Sequence, residues 1–108
     1  MSKIESDMLH AIKRRKSWKS GNTEVFINDN HCALVYLHGN LIATVSHNRL
    51  QLFDGNWRTS TTKSRLNAII NGLIDGTNNG VYQKNFKWYL TSNGEDYLFD
   101  KVSHFDLI

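Results

Sequence analysis

A chain of 108 residues, 40% hydrophobic and 21% charged, fits one domain over 1–108 with one core, and lacks the low-hydrophobicity, high-charge signature of disorder. No apolar run approaches the ~18 residues needed to cross a bilayer, and Lys13 to Lys16 follow the first apolar residues, the reverse of a signal peptide, so a cytoplasmic protein with no membrane partner is expected. The net charge of +3 is uneven, with Lys13, Arg14, Arg15, Lys16 and Lys19 at one end and Glu95, Asp96, Asp100 and Asp106 at the other, a polarity that suits an oriented partner or a head-to-tail homo-oligomer.

Ser2 and Glu5 have the spacing of a capping box, in which a hydroxyl and a carboxylate satisfy opposite backbone donors at a helix start. Ile4, Met8, Leu9 and Ile12 follow at helical spacing, which predicts a first helix over about 3–16, ending between Arg15 and Lys19. From Thr23 to Phe53 the apolar period becomes two: Val25 and Ile27, then Leu34 to Leu37, then Leu41, Ala43 and Val45, then Leu50 and Phe53. The breaks fall at Asn28-Asp29-Asn30, His38-Gly39-Asn40, Ser46-His47-Asn48 and Asp54-Gly55-Asn56, which predicts a meander of antiparallel hairpins, with Trp57 to Thr59 as a continuation.

Thr61 or Thr62 then offers a hydroxyl N-cap for a second helix over about 62–75, with Leu66, Ile69, Ile70, Leu73 and Ile74 as its stripe and Gly76 placed as a left-handed C-terminal residue. Asn78-Asn79-Gly80 leads into one strand from Val81 to Thr91, with Tyr82, Phe86 and Trp88 on one face and Tyr89 on the other. Ser92-Asn93-Gly94 turns the chain towards a short edge strand at Tyr97 to Phe99, and the tail from Ser103 ends in Leu107 and Ile108. The expected fold is α+β: an antiparallel meander sheet of about five to six strands packed against one main helix, with an additional N-terminal helix.

Little in the chain marks catalysis. His10, His31, His38, His47 and His104 are scattered, the lone Cys32 has no disulfide partner, and no paired metal-ligand spacing occurs, so neither a metal nor a cofactor is expected. A Cys32–His38 nucleophile pair is rejected because a thiol inside an apolar strand is inert. Glu95 and Asp96 are adjacent in a turn without a second acid at hydrolase spacing, and no glycine-rich phosphate loop occurs. The expectation is a protein without catalytic residues.

The best candidate for a site is Trp57-Arg58-Thr59-Ser60-Thr61-Thr62-Lys63-Ser64-Arg65, where hydroxyls and cations lead into a helix whose free N–H groups and dipole favour an anion. Arg58 or Arg65 can grip a phosphate, Lys63 can add charge, and Trp57 can stack on a base. The structural reading of the same residues is a capped helix with solvated cations and a core tryptophan. A second candidate is Lys13, Arg14, Arg15, Lys16, Trp18 and Lys19, a basic stretch suited to nucleic-acid phosphates and equally to the end of a helix dipole. Tyr82, Lys84, Phe86 and Trp88 form a third, either a stacking platform or a core face.

At Leu37-His38-Gly39-Asn40-Leu41-Ile42-Ala43, at Trp57-x-Thr59-x-Thr61-Thr62-Lys63-Ser64-Arg65-Leu66-Asn67-Ala68, and at Val81-Tyr82-Gln83-Lys84-Asn85-Phe86-x-Trp88, the chain resembles a family of short, uncharacterised proteins encoded by tailed bacteriophages. The likeness runs from Gly21-Asn22-Thr23 to Trp88. It implies an accessory role in the host cytoplasm, against a host enzyme, nucleic acid or a nucleotide signal used in defence, and brings no catalytic residues with it. The expected function is capture of a phosphate-bearing ligand, a nucleotide or nucleic acid, through Arg58, Thr61, Thr62, Lys63, Ser64 and Arg65. The alternative is a protein-interaction module that inhibits a host enzyme through exposed aromatics and the acidic C-terminal end.

Overall fold

The capping box forms as its spacing requires: in the computed structural model, which describes residues 1–107, the Glu5 N–H donates to the Ser2 hydroxyl at 3.3 Å and the Ser2 N–H to the Glu5 carboxylate at 3.4 Å. The helix it starts, α1 (Lys3–Arg14), ends earlier than expected, because Arg15 turns left-handed (φ 54°) and its N–H reaches back to the Ala11 and Ile12 carbonyls. The basic run therefore breaks in two. Its second half enters β1 (Trp18–Ser20), a strand that no apolar alternation announced.

The meander follows in sequence order: β2 (Thr23–Ile27), β3 (Ala33–Leu37), β4 (Asn40–Val45) and β5 (Arg49–Phe53), each antiparallel to the last. With β1 at one edge and β9 (Val102–Asp106) at the other, the six-stranded order is β1-β2-β3-β4-β5-β9. β9 lies where the sequence predicts only an apolar tail; Phe105 faces Leu50 and is buried with it, Leu107 packs beside the core, and Ile108 lies outside the described residues. Val25, Val35, Ala43 and Leu52 line up across the sheet on its buried face, and a bulge opposite Val35 and Tyr36 brings the consecutive Ile42 and Ala43 to that face together. Phe26, Leu34, Thr44, Gln51 and His104 occupy the opposite, uncovered face.

Trp57 to Thr59 do not continue the sheet. Gly55 (φ 70°) and Asn56 (φ 59°) turn the chain away, and Thr59, not Thr61 or Thr62, caps α2 (Ser60–Leu73) by accepting the Thr62 N–H at 3.1 Å. At the other end Ile74 is already extended, so Gly76, although at φ 99°, sits in the loop beyond the helix. The single strand predicted over Val81–Thr91 is a hairpin of β6 (Gly80–Lys84) and β7 (Lys87–Ser92), to which β8 (Glu95–Leu98) adds, giving a second sheet in the order β6-β7-β8. Asn85 (φ 53°) and Phe86 (φ 67°) are both left-handed, as a two-residue hairpin turn demands. That turn reverses the faces: Tyr82 stands opposite Tyr89, while Trp88 points inward, 1% exposed and edge-on to Phe99 at 6.1 Å.

One hydrophobic cluster joins α1, α2, the inner face of the large sheet and Val81, Trp88, Leu90 and Phe99 of the smaller sheet and its exit. Where α1 and α2 approach, a Cβ on Gly72 would lie 2.5 Å from a δ-carbon of Leu9, so the glycine leaves the space that the Leu9 side chain fills between the two helices. Close by, Glu5 accepts hydrogen bonds from Arg65 Nη1 at 2.9 Å and Ser64 Oγ at 2.6 Å, and Arg65 Nε donates to Thr23 Oγ1 at 3.1 Å. Burial pushes the Glu5 carboxyl up, but the hydrogen bonds from Ser64, Arg65 and the Ser2 N–H outweigh it and hold the group below its ordinary value of 4.5.

Removing one partner of such a buried pair costs about 3–5 kcal/mol, so Glu5→Ala is expected to lower unfolding free energy at pH 7 by that order in urea titration. Because the folded-state pKa is depressed, the carboxylate's contribution is complete above the unfolded value of 4.5 and is lost as pH falls through the lower folded value. The Tm difference between wild type and Glu5→Gln should therefore be largest near neutrality and shrink in acid; a constant difference would refute the assignment.

Candidate functional surfaces

The run from Trp57 to Arg65 does not converge on one point, because α2 sends successive residues to different sides. Arg65 and Ser64 turn towards α1, where both bind Glu5, and Arg65 is itself buried. Thr62 is buried too, donating its hydroxyl to the Trp57 carbonyl at 3.0 Å, while Thr59 is the cap. Arg58 reaches the buried Asp54 at 3.0 Å and the Phe99 carbonyl at 3.1 Å, and its guanidinium lies 5.6 Å from the centre of the Trp88 ring. Lys63 donates to the Gln83 side chain at 3.2 Å, 6.0 Å from the same ring. Each arginine already has a carboxylate. Trp57, 58% exposed and 5.7 Å from the His38 ring, is left open at the helix start with Ser60 and the half-buried Thr61.

The N-terminal basic residues are also divided. Lys13, Arg14, Lys16 and Lys19 are exposed, whereas Arg15 folds back to bind the Ile12 carbonyl and the Ser46 carbonyl, tying the helix end to the sheet. Trp18 packs against the core and lines a cleft of about 360 Å³ with Asp7, His10, Ala11, Arg14, Lys16 and Ser17, so a carboxylate stands among the cations. A further cleft, about 420 Å³, opens beside Leu41, Phe53 and Val102 with Lys101 at its rim. Among the described residues no three His, Cys, Asp or Glu side chains converge as a metal site would need.

The third grouping is rearranged rather than dispersed. Cross-strand register places Tyr82, Lys84, Lys87, Tyr89, Thr91, Asp96 and Leu98 on the outer face of the small sheet, with Trp88 on the other side. The Tyr82 and Tyr89 rings stack at 5.4 Å and 20°. Tyr82 donates its phenol to Asp96 at 2.9 Å and Thr91 its hydroxyl at 2.7 Å, so hydrogen bonds from Thr91 and then Tyr82 lower the Asp96 pKa while Asp96 raises that of Tyr82. Phe86 at the hairpin tip is 94% exposed, and Tyr97 and Leu98 on β8 are each more than half exposed.

Tyr89 is one omission: a single strand through the turn sets it on the face opposite Tyr82, whereas the hairpin brings the two side by side. The sequence carries no strong signal for that turn, because Asn85-Phe86 lacks the glycine usual in a two-residue hairpin. Asn67 is a second omission. From α2 its amide donates to the Val81 carbonyl at 3.0 Å and accepts the Val81 N–H at 2.7 Å, imitating a neighbouring strand along the outer edge of β6.

Among the described residues no helix is long and apolar enough to cross a membrane. Compared with known protein families, residues 1–105 match a model described as Kyanoviridae Gp96 protein. No curated protein and no solved structure matches the chain significantly.

The Tyr82 phenol is expected to titrate above its ordinary 10.0, and Asp96→Asn to bring it back towards that value, since the carboxylate is the main cause of the rise. Site-resolved tyrosine ring NMR across alkaline pH measures this. A Tyr82 curve unchanged by the substitution would show that the hydrogen bond is not held in solution.

Proposed function

The chain belongs to the Kyanoviridae Gp96 family of phage proteins, and from that setting we propose that it acts without catalysis, docking on a host protein through the hairpin and outer face of the β6–β8 sheet. The observation that carries this reading is Phe86. A phenylalanine at φ 67° occupies backbone that disfavours bulky side chains, and at 94% exposure it contributes nothing to the core. A partner that covers the ring gives the residue a purpose that folding does not.

Its surroundings suit an interface. Tyr82, Tyr89 and Leu98 supply aromatic and apolar area close to one another on the outer face, while Lys84, Lys87 and Asp96 supply a charged rim. Phosphate capture at the start of α2 is the weaker reading of the same molecule. To meet an anion there, Arg65 and Ser64 would have to abandon Glu5, leaving a buried carboxylate without its partners.

Immobilised protein incubated with host lysate is expected to retain a discrete polypeptide, to lose it on Phe86→Ser, and to keep it on Lys63→Ala. Retention that instead follows Lys63 and falls steeply with salt, or that releases a nucleotide on denaturation, would return the site to the start of α2.

A further inference from the structure

Among the described residues there are four sheet edges, and they are not equally available. β6 is sealed by the Asn67 amide. β1 is three residues long, and with Trp18 and Ser20 paired inward it offers only Lys19. β9 runs beside the β7–β8 turn, from which a cleft lined by Ser92, Asn93, His104 and Asp106 separates it. β8 is different: all of its residues are exposed.

Antiparallel ladders alternate between residues that bond the neighbouring strand and residues that point away from it. The Phe99 N–H donates to the Trp88 carbonyl, so by alternation Leu90 bonds Tyr97, and Asp96 and Leu98 direct their N–H and C=O groups outwards. The side chains of these two residues lie on the outer face, Leu98 beside Tyr89 and Asp96 held by Tyr82 and Thr91.

We propose that the β8 edge accepts an extended segment of a partner protein as a fourth strand, with a cationic side chain opposite Asp96 and an apolar one opposite Leu98, two residues away. The inference rests on the docking reading of this sheet and supplies its mode. Backbone bonds to Asp96 and Leu98 give the attachment. Charge gives the choice of occupant: Asp96 stands on the outer face of this edge with Glu95 beside it on the other face, while Asp100 beyond the strand is answered by Arg58 at 3.8 Å, so an incoming strand that sets lysine or arginine opposite Asp96 gains what an acidic one loses. A second copy of the chain would bring the same carboxylates with it. The ordered acceptors on Asp96 keep that charge fixed in place, because two hydroxyl groups already orient it.

The probe is a capped peptide of the repeat Lys-Thr-Val-Thr, which sets lysine and valine two residues apart on one face, with a Glu-Thr-Val-Thr peptide as control, read by amide hydrogen exchange of the intact protein. In the free protein the Asp96 and Leu98 amides should exchange quickly; with the lysine peptide at about ten times its Kd they should slow by about tenfold, and with the glutamate peptide they should not. N-methylating alternate residues of the lysine peptide on the paired edge should abolish the effect, as should Leu98→Pro, which removes an N–H that β7 does not use. Three results would overturn the inference: no slowing with the lysine peptide, slowing that survives N-methylation, or slowing without peptide that grows with protein concentration. The lysate experiment judges the docking reading separately, so Phe86-dependent capture together with a silent peptide would sink strand addition alone.

Discussion

The arrangement of this molecule turns on the carboxylate of Glu5. It begins α1 by closing the capping box, and the same side chain reaches across to Arg65 and Ser64 of α2, while Arg65 continues to Thr23 of β2. Three elements far apart in the chain are thereby held in one register. A buried charge is expensive to desolvate, and this one is tolerated because its oxygens are satisfied from several sides. The ion pair need not add much net stability to have this effect; it penalises every packing of α1 on α2 in which Arg65 and Glu5 fail to meet. Gly72 leaves room for the Leu9 side chain between the same two helices.

That constraint also explains why a run of hydroxyls and cations reads so easily as a ligand site and is arranged as a structural hub. The residues that would favour an anion at a helix start also serve to anchor a short helix among acidic neighbours. Arg58 answers Asp54, Arg65 answers Glu5, and Thr59 and Thr62 complete the cap and its return to Trp57. The carboxylates lie elsewhere in the chain, Glu5 sixty residues from Arg65, so the pairing cannot be read from local spacing. Asp54 stands nearer, but only the turn at Gly55 and Asn56 brings it beneath Arg58.

What was legible followed period and punctuation. Alternation between Val25 and Phe53, the asparagine and glycine breaks, and the Ser2–Glu5 box each specify a local conformation strongly enough to survive tertiary packing, and the meander and α1 follow from them. The family resemblance read from the Trp57–Ala68 and Val81–Trp88 segments agrees with the match over residues 1–105. The failures share one cause: elements defined by a partner strand rather than by their own pattern. β1 is three residues with one inward aromatic, β9 exists because β5 offers an edge, and the β6–β7 turn carries a phenylalanine where glycine is usual. The face reversal at that turn removed Trp88 from the aromatic surface and put Tyr89 in its place.

Stability and recognition thereby fall on different parts of the chain. The small sheet leans on the rest through Trp88, Leu90 and Val81 within the core, through Asn67 along β6, and through Lys63 on Gln83. Its tip and its outer edge carry none of that load. Side chains such as Phe86 and Leu98 can therefore be shaped by a partner without disturbing the core, whereas the α2 start cannot change without loosening α1, β2 and the Asp54 turn together. In a chain of 108 residues there is little interior to spare, and the surface free to specialise is the one whose loss the core would not register. The β6–β8 sheet satisfies that condition more fully than the start of α2.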